Sequence, residues 1–400
     1  MSESRNSAPG VMDAPATGQG AASQDAAGSG HARADQPLDG QTVQKRATRS
    51  GHEWLEYGPS IRGIAIIAIL MGHTFDMAMF AWELEYSQRA AAIMLDSLFR
   101  WAVPAFIMIS GAILLVPKPG GSIAAFYKKR VGRIGIPIVF WSAFFMWFDV
   151  YVVNFTASSW SKSFENLLVG RPYGHMFFIF RFVGLYLLTP AVRWVVAKTT
   201  RNQFIALTAL LFVAVAIDSY IMNQYNAQRG AVIGTFYFLP FFMAGYILRT
   251  AYLSRRGIII ALGVWAAATL TLGLTTLPGV REWDPINMPA PSPEFAMWDH
   301  LSPLRIVIGI SMWLVLITVL RGERIRRPFW RLMGNVIAPA SFGIYLIHPL
   351  FRDGLHYMGI TAYQPNVWIG VSVSMTAVVV WSVLATLLIM KIPYVRKIVV

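Results

Sequence analysis

Ten apolar stretches recur along this chain, at roughly 60–82, 91–116, 134–156, 174–192, 203–222, 232–250, 257–277, 303–320, 336–356 and 366–390. Each is close to the ~20 residues that a helix needs to cross a bilayer. In hydrocarbon a segment must satisfy its own backbone N–H and C=O groups, so stretches of this kind fold as helices. The predicted fold class is all-α, a polytopic integral membrane bundle of about ten helices over residues 53–400. Composition agrees: 56% of residues are hydrophobic, only 14% are charged, and mean hydropathy is +0.51. No internal repeat is visible, which argues against inverted-repeat transporter folds. Residues 1–52 are dominated by Gly, Ala, Ser, Asp and Gln, and are expected to form a disordered tail. They lack the apolar core of a cleavable signal peptide, so the first span is expected to act as an uncleaved anchor.

A net charge of +14 would suggest nucleic acid in a soluble protein. Here the basic residues gather in alternate loops, such as Lys128, Lys129, Arg130 and Arg133, or Arg321, Arg324, Arg326, Arg327 and Arg331. The charge therefore reads as topology, with both termini cytoplasmic and membrane lipid, not nucleic acid, as the basic residues' partner. The longest external loop, about 278–302, is expected to hold little regular structure. The absence of cysteine excludes disulfides, thiolate metal ligands and a cysteine nucleophile, and no metal centre is expected.

The first span carries Arg62, His73 and Asp76. Ionisable groups at membrane depth are costly and mark functional sites. Arg62 and His73 are almost three turns apart, so they share one helix face with about 16 Å between them along the axis. Asp76 follows one turn beyond His73 on nearly the same face, where it can orient the imidazole. The competing reading is a set of polar residues that fix helix packing. On the charge-derived topology, Asp76, Asp96, Arg100, Asp149, His175, Arg181, Asp218, Arg305 and His348 all fall in the outer half of the membrane. That distribution suggests a water-accessible pocket open to the external side. Asp96 is spaced to pair with Arg100, and Arg305 is expected to snorkel to the interface.

Three further stretches carry chemistry. FYKKRVGRIGIP, residues 126–137, reads as an interfacial basic stretch in which Arg130 and Arg133 stand one turn apart, with Lys129 beside them. Two guanidiniums so spaced can clamp a phosphate or diphosphate; the alternative is an anchor for anionic lipid. Ser110 and Gly111 are small enough to admit a neighbouring helix or a thin ligand chain. SFGIYLIHP, residues 341–349, puts Tyr345 and His348 on one face. The rise of an ideal helix brings His348 to the level of His73, so two helices can build one site. His175 and Arg181 lie in GHMFFIFRFVGLYLLTP, residues 174–190. Arg181 either faces a vestibule above His73 or pairs with Asp149 or Asp218 to hold helices together.

Taken together and in order, these pieces resemble the membrane acyltransferase-3 family. They are Arg62 with His73 eleven residues on, FIMISG ending at Gly111, KRVGRIGIP, GHMFFIFRFVGLYLLTP, FYFLPFFMAGYIL and GIYLIHP, spread over about residues 55–390. Two departures are visible: Phe177 stands where the family usually has Trp, and Arg181 where an apolar residue is common. The resemblance implies an O-acyltransferase of the bacterial inner membrane. It implies a donor of acetyl-CoA or another acyl-CoA rather than a resident cofactor. The acceptor would be a hydroxyl of an extracytoplasmic glycan or lipid-linked saccharide. It implies that Arg62 and His73 serve catalysis and that Arg130 and Arg133 hold the donor. From spacing and depth, Asp76 and His348 are expected to join catalysis, Lys129, Ser110 and Tyr345 to help hold the donor, and His175 and Arg181 to hold the acceptor. His73 can act as general base or carry the acyl group itself. The alternative from another class is a secondary transporter or flippase for a glycan or organic anion; a scaffold does not require buried histidines.

Overall fold

The computed structural model describes residues 40–81, 83–116, 122–153, 157, 159–224, 231–281, 302–321 and 327–399, with only the backbone described over 40–56, 222–224 and 231–233. Residues 1–46 and 47–400 form separate units, and the apolar bundle lies in the second. Among the described residues there are helices and no strand. In chain order they are α1 (Gly40–Met79), α2 (Tyr86–Ser97), α3 (Ala102–Leu114), α4 (Ile123–Phe148), α5 (Trp160–Leu168), α6 (Phe177–Lys198) and α7 (Arg201–Gln224). They continue with α8 (Ala231–Phe236), α9 (Leu239–Leu248), α10 (Arg255–Arg281), α11 (Pro303–Val319), α12 (Pro328–Leu332), α13 (Ala338–Tyr357) and α14 (Val367–Lys391).

Among the described residues, eight helical segments are long and apolar enough to cross a bilayer, while Gly234–Leu248 and Pro303–Val319 are apolar but shorter. The ten expected stretches thus each coincide with an apolar helical segment, but eight reach spanning length. α1 begins at Gly40, ahead of residue 53, where the membrane region was expected to start. Residues 1–39, 282–301 and 322–326 lie outside the described residues, and with them most of the expected tail and external loop, as well as Arg324 and Arg326.

The basic stretch 126–137 differs from expectation. It is not a segment separate from the third span but the opening turns of α4 itself. Ser122 caps that helix, its Oγ accepting from the Ala125 N–H at 3.2 Å, so the helix starts well ahead of Pro137 and carries Arg130 and Arg133 on its first turns.

α3 and α9 pack closely because their glycines interlock. A Cβ on Gly111 would strike the Phe242 backbone, and one on Gly245 would strike the Met108 backbone. Small residues allow this backbone approach, so the partner that Gly111 admits is a helix. The interior is filled by side chains such as Ile61, Ile66, Leu70, Phe145, Phe241, Phe242 and Trp313, all fully buried. α7, α10 and α14 instead present apolar side chains outward, including Leu210, Ile260 and Leu388, as a lipid-facing surface does.

Candidate active site

The C-terminal half of α1 and the middle of α13 meet at two histidines. His348 Nε2 lies 3.2 Å from His73 Nδ1, and the rings cross edge to face with centroids 5.0 Å apart. His348 Nδ1 lies 2.7 Å from the Tyr345 carbonyl oxygen one turn back on α13. The sequence explains why that carbonyl is free. In a regular helix it would accept from the N–H four residues on, but residue 349 is Pro349, which has none. A third histidine, His175, stands with its ring centroid 5.2 Å from that of His348. It is delivered by the short 3₁₀ turn Gly174–Met176 that leads into α6.

Two tyrosine hydroxyls tie this turn to α13. Tyr345 Oη donates to the His175 carbonyl at 2.6 Å, and Tyr173 Oη donates to Asp353 Oδ2 at 2.6 Å. Tyr173 precedes the span. Burial, reinforced by the Asp353 carboxylate, pushes its phenol well above the ordinary value, so it remains a donor. Arg352 clasps the same carboxylate through Nε and Nη2 at 2.6 and 3.0 Å.

A cavity of about 560 Å³ opens beside His73. Asp76, Asp96, Arg100, His175, Arg305, Arg352 and Asp353 contribute to its wall. Asp76 does not hydrogen-bond His73. Its Oδ1 accepts from Arg100 Nη2 at 2.5 Å, and Arg100 also pairs with Asp96. The i,i+4 pairing of Asp96 and Arg100 matches its spacing, whereas Asp76, expected to orient His73, closes an ion-pair triad instead. Arg305 does not snorkel. It is 1% exposed and lines this cavity.

A second cavity, of about 270 Å³, is lined by Arg62, Arg130, Arg133, Ser110, Ser341, Tyr186 and Tyr345 among others. Arg62 therefore belongs with the α4 arginines and not with His73, because eleven residues of helix carry it ~16 Å away. One face of α1 serves two chambers. The three guanidiniums have no acidic partner among the described residues. Instead, Arg62 lies 5.4 Å from the Phe106 ring, and Arg130 lies 5.3 and 5.4 Å from Phe126 and Tyr186. Ser110 Oγ donates to the Phe106 carbonyl at 3.3 Å.

The rings of Tyr345, Phe178 and His175 touch where the chambers adjoin, with centroids 5.4 Å apart for His175 and Tyr345 and 5.6 Å for Phe178 and Tyr345. Three of the expected site residues do not line either chamber. Lys129 is exposed on α4. Arg181 is buried against α8, where its guanidinium fills the space a Cβ on Gly234 would need. His348 also lines neither cavity and stands behind His73.

The sequence reading missed Tyr173, Asp353 and Arg352. A usable signal was present, since Arg352 follows His348 by four residues on the same helix. Nothing local marked Tyr173, whose partner is 180 residues away.

This arrangement offers a half-buried histidine as proton acceptor beside one chamber, and a cationic chamber on the other side of a thin aromatic wall. No characterised protein and no solved structure aligns significantly with the chain. The family comparison does give a match: residues 57–389 correspond to the acyltransferase-3 family, described as an acyltransferase domain, and this multi-helix membrane chain belongs to that family.

Proposed function

We propose that the protein transfers an acyl group, in the first instance acetyl, from acyl-CoA to a hydroxyl of a glycan or lipid-linked saccharide at the bacterial inner membrane. The observation that carries this reading is the pairing of the two chambers. The one lined by Arg62, Arg130 and Arg133 gathers three guanidiniums without acidic neighbours among the described residues, the charge pattern that an anion such as a CoA phosphate requires. The one beside His73 holds fixed ion pairs and is large enough for part of a saccharide.

The thioester arm of the donor enters past Tyr345 and Phe178 towards His73. His73 accepts the proton of the acceptor hydroxyl as that oxygen attacks the thioester carbonyl. The C–S bond then breaks, and the proton passes to the departing CoA thiolate. The charge-derived topology, with the Arg130 end cytoplasmic and the His73 chamber opening outward, puts donor and acceptor on opposite sides of the membrane.

Purified protein in detergent, given labelled acetyl-CoA and a saccharide acceptor, should release CoA and label the saccharide. Release of neither CoA nor label at any donor concentration overturns the reading.

A further inference from the structure

The hydrogen bonds around His348 fix more than its position. A carbonyl oxygen only accepts, so the nitrogen of His348 that meets the Tyr345 carbonyl at 2.7 Å, Nδ1, must carry the proton. His348 is fully buried and has no carboxylate partner among the described hydrogen bonds and ion pairs, so the uncharged ring is the form that fits. In that form Nε2 is a bare acceptor. Its contact at 3.2 Å is His73 Nδ1, which must then be the donor. An uncharged His73 with its proton on Nδ1 has its lone pair on Nε2. His73 lines the larger cavity, whereas His348 does not.

We infer that His348 is a positioning residue that holds His73 in the Nδ1-protonated tautomer, so that the Nε2 lone pair serves as the base. Pro349 takes part by removing the N–H that would otherwise compete for the Tyr345 carbonyl. The chain thus runs from the Tyr345 carbonyl through His348 to His73, with a neutral imidazole in the place where many hydrolases put a carboxylate. As His73 gains a proton at Nε2, its Nδ1–H bond to His348 stays in place. The base therefore changes charge without changing orientation.

This inference rests on the proposed acyl transfer for its kinetic consequence but not for its structural one. The test is nitrogen NMR on the full-length protein labelled with [15N]histidine. The His73 signals are assigned by their loss in His73→Gln. The unaltered protein should show His73 protonated at Nδ1 and bare at Nε2. In His348→Leu, which removes the acceptor, the Nε2-protonated form should take over. His348→Gln, whose amide oxygen reaches the position of Nε2, should keep the Nδ1 proton.

In turnover, His348→Leu should lose about 10²-fold or more in kcat with little change in KM for acyl-CoA, and His348→Gln should recover most of that loss. A wild-type His73 protonated at Nε2 overturns the inference, even if the Leu variant does not fold. So does the same tautomer in the Leu and Gln variants. A correct tautomer in a protein that transfers no acetyl group supports the His348 assignment and counts against the proposed reaction alone.

Discussion

The two chambers differ most in how their charges are balanced. The smaller is lined by Arg62, Arg130 and Arg133 and, among the described residues, by no acidic side chain. The larger is lined by Arg100, Arg305 and Arg352 together with Asp76, Glu83, Asp96 and Asp353. In the larger, Arg100 is shared between Asp76 and Asp96, and Arg352 is clasped by Asp353. Unmatched guanidiniums near aromatic faces gain most from an anionic ligand. Matched ion pairs offer fixed donors and acceptors to neutral hydroxyls, and an anion would have to displace a carboxylate to bind there. The contrast teaches that the number of arginines in a cavity does not identify its ligand; what partners them does.

Removing the base should separate the chambers most sharply. His73→Ala is expected to lower turnover by ~10²–10⁴-fold while leaving acyl-CoA affinity intact, as read by steady-state kinetics beside direct donor binding. A comparable loss of donor affinity would mean that the chambers do not divide the work.

Next in size is the charge network. Arg100→Leu leaves Asp76 and Asp96 without their shared cation and should cost about 3–5 kcal/mol of stability, measured as detergent-solubilised thermal unfolding. Arg62→Leu, by contrast, breaks no ion pair among the described residues and should not lower stability to that extent. Equal losses would erase the distinction between matched and unmatched cations.

The donor chamber is sharpened by the α4 pair. Charged hydrogen bonds contribute roughly 1.5–3 kcal/mol each, so Arg130→Ala or Arg133→Ala should weaken acyl-CoA binding by about 10–100-fold. Lysine at either position should restore only part, since it cannot grip two oxygens in one plane. Full donor affinity in the double variant would return this part of α4 to an anionic-lipid anchor.

Arg181→Leu should lower thermal stability and leave the KM values of donor and acceptor unchanged, because its guanidinium packs against Gly234 outside both chambers. A stable variant with altered acceptor choice would instead bring Arg181 into the acceptor chamber. The smallest effect belongs to Lys129→Ala, a surface change of within about 0.5 kcal/mol, which should leave donor affinity within about twofold. A larger loss there would extend the cationic chamber onto the exposed face of α4.

What the sequence alone determined is what depends on local periodicity. Apolar runs of bilayer length predict each apolar helical segment, because an isolated segment in lipid must satisfy its own backbone. The eleven-residue spacing of Arg62 and His73 puts both on one face of α1, and the helical rise of α13 brings His348 to the level of His73. The order of motifs was enough to recognise the family. Only the tertiary structure decided which groups face each other. Asp76 turns to Arg100 rather than to His73, Asp353 is shared by Arg352 and Tyr173, and Arg62 lies in a different chamber from the histidine eleven residues on. The physical reason is range. A helix fixes its own neighbours at three and four residues, whereas His73 and His348 are 275 residues apart and Tyr173 and Asp353 180 apart, and contacts of that kind arise only when the helices have packed.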